Sequence, residues 1–242
     1  MPLSSLRNLP MRGSTFFLLL LLMCVGIGLS VWRGWLPVPA RWNPWAPLDV
    51  REQPNFLTSF KLMRLREDPT LCDQALQTSS LRYSHQADSD AAAKCPLSNT
   101  LRIQGGDVAL SSSFLSSCPL AVAYAMFDIH GLQPAAQAVF GQKVTQIDHL
   151  GSFACRNVYN RSEGRLSQHA SANALDIAGF RLADGRRISV LKDWKDDGDN
   201  GTFLRLVREG ACQQFNTVLG PDYNAAHRNH FHVDMGRWRV CR

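Results

Sequence analysis

Three histidines lie close together near the end of the chain, in the order His227, His230 and His232. A fourth, His169, lies in a second short motif that also contains Asp176. Imidazole nitrogens and carboxylate oxygens bind zinc, and a catalytic zinc site keeps one of its four positions open. His169, Asp176 and one of the terminal histidines would therefore supply a two-histidine, one-carboxylate zinc site.

A β-strand would bring the two members of the final His-x-His pair together. Side chains alternate across a strand, so His230 and His232 would point to the same face of a strand over 230–235. The spacing leaves open which of the two binds metal and which acts as a base. Asp234 is expected to orient an imidazole or the end of the strand rather than to bind metal.

The elements expected around these motifs are mixed. Helices are predicted over 119–129, ended by Gly131, over 134–140 and over about 200–214. Strands are predicted over 100–104, 144–150, 174–180 and 230–235, and the Asp184-Gly185 pair indicates a hairpin leading to a strand over 187–191. This order indicates an α+β fold, an antiparallel sheet with flanking helices, and it places the zinc site on the sheet.

An uncharged apolar run extends from Thr15 to Trp32. A helix needs roughly 17–25 apolar residues to cross a bilayer, so the run could form a single transmembrane helix. A cleaved signal peptide is the alternative, because Gly28 and Ser30 could form a cleavage site. We favour an uncleaved anchor because the run is long for a signal peptide. Either reading places the body of the chain outside the cytoplasm.

The predicted organisation has four parts. They are a cytoplasmic N-terminus over 1–14, a transmembrane anchor over 15–32, a stalk rich in proline and tryptophan over 33–54, and a folded domain over 55–242 that begins with a cysteine-bearing extension. Hydrophobic residues make up 45% of the chain and charged residues 19%, which is typical of a folded protein.

Six cysteines follow the apolar run, and Cys24 lies within it. An even number of cysteines in an exported domain predicts a disulfide framework. None forms a Cys-x-x-Cys pair, which disfavours a structural zinc knuckle. We predict that neighbours along the chain pair with each other, as Cys72–Cys95, Cys118–Cys155 and Cys212–Cys241.

The net charge of +6 would suit an anionic partner such as a cell-wall polymer or a membrane surface. The sequence has no dense lysine and arginine block and no alternation of basic and aromatic residues. Nucleic acid is therefore not an expected partner. The sequence leaves the oligomeric state open.

Several motifs resemble the bacterial extensin-like C-terminal domain family over roughly 101–241. They are Cys118-Pro-Leu-Ala, Cys155-Arg156, Ser167-Gln-His169-Ala, Gly220-Pro-Asp-Tyr-Asn224 and His230-Phe-His232-Val-Asp. The histidine and aspartate spacing also resembles the metallopeptidase superfamily that includes lysostaphin, the D-alanyl-D-alanine peptidases and the hedgehog domain.

The resemblance implies a zinc ion bound by His169, Asp176 and His232. It implies that His230 is the general base or stabilises the transition state. His227 would assist His230 or bind substrate.

Further roles follow from the same resemblance. Arg156 would hold the scissile carbonyl or a substrate carboxylate, and Ser167 would contact substrate. Several relatives have a carboxylate base where this chain has Asn229, so a histidine is expected to take the proton here.

The resemblance thus implies a zinc-dependent peptidase that cleaves peptidoglycan stem peptides, as an endopeptidase or a carboxypeptidase. It would be a single-pass protein of the bacterial inner membrane with its catalytic domain in the periplasm. The alternative is a non-catalytic zinc-containing domain that binds wall peptides or a periplasmic partner. Two histidines beyond the three ligands favour the enzyme, because a structural site would need a fourth ligand rather than spare bases.

Overall fold

A computed structural model describes residues 13–242 and divides into two compact units, one ending at Ala46 and one from Pro47 to Arg242. The first unit contains α1, Gly13–Trp32, none of whose residues is buried. This helix is long and apolar enough to cross a membrane, although a signal sequence would meet the same criteria. Most of the predicted cytoplasmic segment over 1–14 lies outside the described residues.

The second unit combines helices with two β-sheets. Its helices are α2, Thr58–Arg64; α3, Pro69–Leu76; α4, Cys118–Phe127; α5, Gln133–Phe140; α6, Val190–Asp193; and α7, Asp199–Gln214. Its strands are β1, Arg82–His85; β2, Thr100–Gly105; β3, Ala109–Leu110; β4, Phe114–Ser117; β5, Val144–Gly151; β6, Ala174–Leu182; β7, Arg187–Ser189; β8, Thr217–Leu219; β9, Phe231–Asp234; and β10, Val240–Cys241.

The larger sheet has the strand order β10-β8-β9-β6-β5-β3, and β7 pairs with β6 outside this path. Its centre is antiparallel, whereas the outer pairs β10–β8 and β3–β5 are parallel. The smaller sheet, β1-β2-β4, is antiparallel. The predicted α+β class, with an antiparallel sheet and helices, is confirmed.

The two central strands alternate between the core and the opposite face of the sheet. On β6, Leu175 and Ile177 belong to the buried apolar core, and on β9 Phe231 and Val233 do the same. Successive side chains of a strand point to opposite faces. The residues between these apolar positions therefore face away from the core, and this is the face that carries the candidate site.

The helix predicted to end at Gly131 continues instead. A π-helical turn, Asp128–Leu132, connects α4 to α5, and the backbone stays in the right-handed helical region at both ends of this turn. Helix α7 approaches closely here, since a Cβ added to Gly210 would lie 2.7 Å from the Cα of Gly131. Glycine at these two positions serves the close approach of two helices rather than the end of one.

Three disulfides join the second unit, but two of the predicted pairings are wrong. Cys72 is bonded to Cys118 and Cys95 to Cys155, whereas the prediction had Cys72–Cys95 and Cys118–Cys155. Cys212–Cys241 is confirmed. Cys72 lies in α3 and Cys118 opens α4, and these helices pack against each other. Tertiary packing therefore selects the partners, and proximity along the chain does not.

Candidate metal centre

The centre begins with a cross-strand pair. Asp176 on β6 lies directly opposite His232 on β9 in the antiparallel ladder. Directly opposed side chains lie about 4.5–5.5 Å apart at Cβ, close enough to interact. The His232 Nδ1 atom is 3.0 Å from Asp176 Oδ1.

The third member comes from a short 3-10 turn, Gln168–Ser171. The Ser167 hydroxyl accepts a hydrogen bond from the backbone N–H of His169, which fixes the start of this turn. His169 Nε2 lies 3.1 Å from His232 Nδ1 and 3.2 Å from Asp176 Oδ1. Three potential ligand atoms from three separate elements therefore meet at one point.

The hydrogen bonds around the three residues show which nitrogens are free. His169 Nδ1 is 3.0 Å from the Ser152 carbonyl oxygen, and His232 Nε2 is 3.0 Å from Asp234 Oδ2. Both oxygens only accept, so a neutral ring donates N–H there and keeps a lone pair on its other nitrogen. Two lone pairs and the Asp176 carboxylate then face each other, an arrangement that requires a cation or a shared proton.

The spacing also fits a metal ion. Ligands at about 2.0–2.1 Å from a tetrahedral zinc are roughly 3.3 Å from each other. The three separations of 3.0–3.2 Å lie within a few tenths of an ångström of that value. Metal-binding histidines usually donate their other ring N–H to a carbonyl or carboxylate oxygen, as His169 and His232 do to Ser152 and Asp234. His169, Asp176 and His232 could therefore hold a metal ion.

The same contacts shift the protonation of the cluster. Burial opposes ionisation of Asp176, but hydrogen bonds from His169 and His232 hold the pKa of its carboxyl well below the usual value. Burial also opposes protonation of His232, but its hydrogen bonds to Asp176 and Asp234 raise the pKa of His232 to about 9. In the metal-free protein a proton can therefore lie between the two imidazole nitrogens and the Asp176 carboxylate. A metal ion bound by the same atoms would displace it.

His230 lies beside this cluster, one residue before β9 rather than inside the strand. Its Nε2 is 3.5 Å from Asp176 Oδ1, while its Nδ1 is 2.9 Å from the side-chain oxygen of Asn229. Burial lowers the pKa of His230, and the neighbouring Asp176 opposes this only in part. His230 is therefore neutral at pH 7, with its Nε2 free to accept a proton.

His227 is held in a similar way from a turn. Its Nδ1 is 2.8 Å from the side-chain oxygen of Asn224, and the amide nitrogen of Asn224 donates to the Tyr159 hydroxyl at 3.1 Å. Burial and the charges of His232 and His230 lower the pKa of His227 to about 4. Its Nε2 is thus the free, unprotonated nitrogen at neutral pH.

The four histidines lie in a groove of about 660 Å³, which we call the site groove. Arg156 and Ser167, both predicted to meet substrate, line it. Large exposed side chains border it: Tyr159, Leu166, Tyr223 and Trp238. Arg165 and Arg237 also line it, and neither was a predicted site residue.

Some of the groups that position the histidines could not be predicted from the sequence. Ser152 acts through its backbone carbonyl, which every residue type has, so the sequence contains no signal for it. Asn224 and Asn229 lie in the predicted motifs, but the hydrogen bonds that they make to His227 and His230 could not be read from the sequence. Tyr159 lies far from His227 along the chain, and only the fold brings it near.

The fold and the cluster define a class of protein: a disulfide-linked α+β domain with a candidate metal site at the base of an open groove. The sequence profile described as "Extensin-like protein C-terminus" matches residues 70–242. The chain belongs to this family. The match begins at residue 70, whereas the resemblance carried by the motifs begins at about residue 101. Neither a curated protein nor a solved structure gives a significant match.

Proposed function

We propose that this protein is a zinc-dependent peptidase that cleaves the stem peptides of peptidoglycan. The observation that carries the proposal is the convergence of His169 Nε2, Asp176 Oδ1 and His232 Nδ1 within 3.2 Å. Two further histidines with free ring nitrogens line the same groove. Many catalytic zinc sites have two nitrogen ligands and one oxygen ligand from the protein, and they leave the fourth position open.

A zinc ion held there would polarise a peptide carbonyl and make a water molecule easier to deprotonate. His230 accepts a proton at Nε2, because burial keeps this ring neutral and Asn229 holds its other nitrogen. The same ring can return that proton to the leaving amine. Arg156, on the groove wall, can donate hydrogen bonds to a carbonyl oxygen or a carboxylate of the peptide.

The geometry supports His232 rather than His230 as the third ligand. His232 Nδ1 lies within 3.1 Å of both other donor atoms, whereas His230 Nε2 lies 3.5 Å from Asp176 Oδ1. His227 would assist His230 or bind the substrate. The missing carboxylate base at Asn229 is thereby replaced by histidine, and Asn229 orients that histidine instead.

The proposed location is the periplasmic side of a bacterial inner membrane. Helix α1 has the length and apolarity of an anchor. Three disulfides are compatible with an oxidising compartment outside the cytoplasm. Both features support this location.

The test is digestion of purified muropeptides by the full-length, zinc-loaded protein in detergent, with products identified by mass. We expect cleaved stem peptides, with no product from the His169→Ala variant and normal product from His85→Ala, which changes an exposed histidine on β1. Intact muropeptides after incubation with fully zinc-loaded, oxidised wild type would contradict the peptidase. They would favour the non-catalytic, wall-binding alternative.

A further inference from the structure

A second groove of about 410 Å³ adjoins the site groove, and we call it the side groove. Five residues line both grooves, so the two meet along a shared edge: Arg165, Gln168, Gly236, Arg237 and Trp238. The side groove extends from this edge to Arg66, Asn99 and the start of α4. A ligand that lies over His169, Asp176 and His232 can therefore continue into the side groove.

The side groove is positively charged. Arg66, Arg165 and Arg237 line it, and none of the described acidic residues does so. Among the described residues, no carboxylate oxygen lies within 4.0 Å of these three guanidinium groups. Within the part of the chain that the structure describes, the Arg66 side chain makes one long hydrogen bond, 3.5 Å, to the Met235 carbonyl oxygen. Three like charges along one groove attract an anion.

One uncharged side chain of the side groove is a hydrogen-bond donor without an acceptor. The side-chain nitrogen of Asn99 is buried and has no hydrogen-bond partner within the described part of the chain. Ser117 and Cys118, at the N-terminus of helix α4, line the groove as well. The positive end of the helix dipole adds to the attraction for negative charge. A buried unpaired donor is rare in native proteins.

We propose that the side groove binds carboxylate groups of an acidic peptide while the bond to be cleaved lies in the site groove. This inference rests on the proposed peptidase function and specifies its substrate as a peptide with a free carboxylate away from the cleaved bond. Guanidinium groups bind carboxylates with paired, charge-assisted hydrogen bonds. Trp238, 69% exposed at the shared edge, offers an apolar surface for the peptide between the two grooves.

The decisive variant is Arg66→Gln, because Arg66 lines the side groove and not the site groove. Arg187→Gln is the matched control, since Arg187 is exposed on β7 and lines neither groove. The probe is a wall stem peptide with free carboxylates, compared with the same peptide amidated. Binding to the zinc-loaded, full-length protein in detergent is measured by calorimetry.

We expect Arg66→Gln to bind the acidic peptide about ten- to hundredfold more weakly, the range for losing a hydrogen bond to a charged group. Arg187→Gln should bind like the wild type. Amidation should weaken binding to the wild type and should remove the difference between the wild type and Arg66→Gln. The proposal is overturned if Arg66→Gln and Arg187→Gln bind the acidic peptide equally well, or if amidation has no effect.

Binding and cleavage are separate readouts, so the two proposals can fail separately. Arg66-dependent binding of the acidic peptide without cleavage would support the side groove and overturn the peptidase. Cleavage with the same KM in Arg66→Gln and wild type would support the peptidase and overturn the side groove. Arg66-dependent binding of a carboxylated glycan, with no binding of the peptide, would also overturn the side-groove proposal.

Discussion

Replacing His230 by alanine should separate metal binding from proton transfer. The three converging donor atoms belong to other residues, and His230 Nε2 is 3.5 Å from one of them, Asp176 Oδ1. The variant should therefore retain its metal. It should lose the group that accepts the proton, and general acid–base catalysis contributes about 10²–10⁴-fold. That loss corresponds to about 2.7–5.4 kcal/mol in the activation free energy of the chemical step.

His232→Ala should behave in the opposite way. The substitution removes an atom that lies 3.0–3.1 Å from both other ligands, and it leaves Asp234 buried without its imidazole partner. Both metal and turnover should be lost. For each variant the assay pairs elemental analysis of bound zinc with the rate of muropeptide cleavage.

The control for general effects of losing an imidazole is His85→Ala, which should keep both metal and rate. Our assignment fails if His230→Ala loses its zinc while His232→Ala keeps it, because the two roles would then be exchanged. The idea that a histidine is the base fails if His230→Ala binds zinc and cleaves at the wild-type rate.

Three further results are expected. In the metal-free protein His232 has a pKa of about 9, against 6.5 for a free imidazole. Its contribution to stability is therefore complete below pH 6.5 and is lost as the pH rises through 9. The Tm of the wild type should fall across this pH window, and that of His232→Ala should not. Peptide mapping of the unreduced protein should find Cys72 linked to Cys118, and a Cys72–Cys95 peptide would contradict the fold. Gly210→Ala should lower the urea midpoint of unfolding. The new Cβ would lie 2.7 Å from the Cα of Gly131, and this overpacking costs about 1–3 kcal/mol, more than the gain of about 1 kcal/mol in helix propensity. An unchanged or higher midpoint would show that the two helices can move apart.

The longer elements of the fold could be predicted from the sequence. The apolar run at 15–32, the strand that carries Asp176 and the long helix α7 all have strong local patterns. Three of the short strands, β3, β8 and β10, could not be predicted. Two or three residues are too few to establish an alternating pattern, and their pairing depends on which strand the chain meets. The strand expected over 187–191 ends at Ser189, where α6 takes over.

The candidate ligands could also be predicted, because His169, Asp176 and His232 lie in two short motifs whose residue types bind zinc. The register that sets Asp176 opposite His232 was not predictable, since it depends on how β6 and β9 pair. The disulfide error has the same origin. Pairing cysteines by proximity along the chain ignores the packing of α3 on α4, which brings Cys72 to Cys118.

The two disulfides that differ from the prediction overlap along the chain, because Cys95 lies between Cys72 and Cys118, and Cys118 lies between Cys95 and Cys155. If the chain is exported with its N-terminus first, as the proposed location implies, the N-terminal cysteines reach an oxidising compartment first. Cys72 and Cys95 would then be the first pair able to react, and that pair is absent from the folded domain. Under this proposed location, maturation would depend on either keeping Cys72 reduced until α4 has been exported, or exchanging a non-native disulfide for the native one. Yield in a host should consequently rise with the supply of a thiol–disulfide isomerase rather than of an oxidant alone.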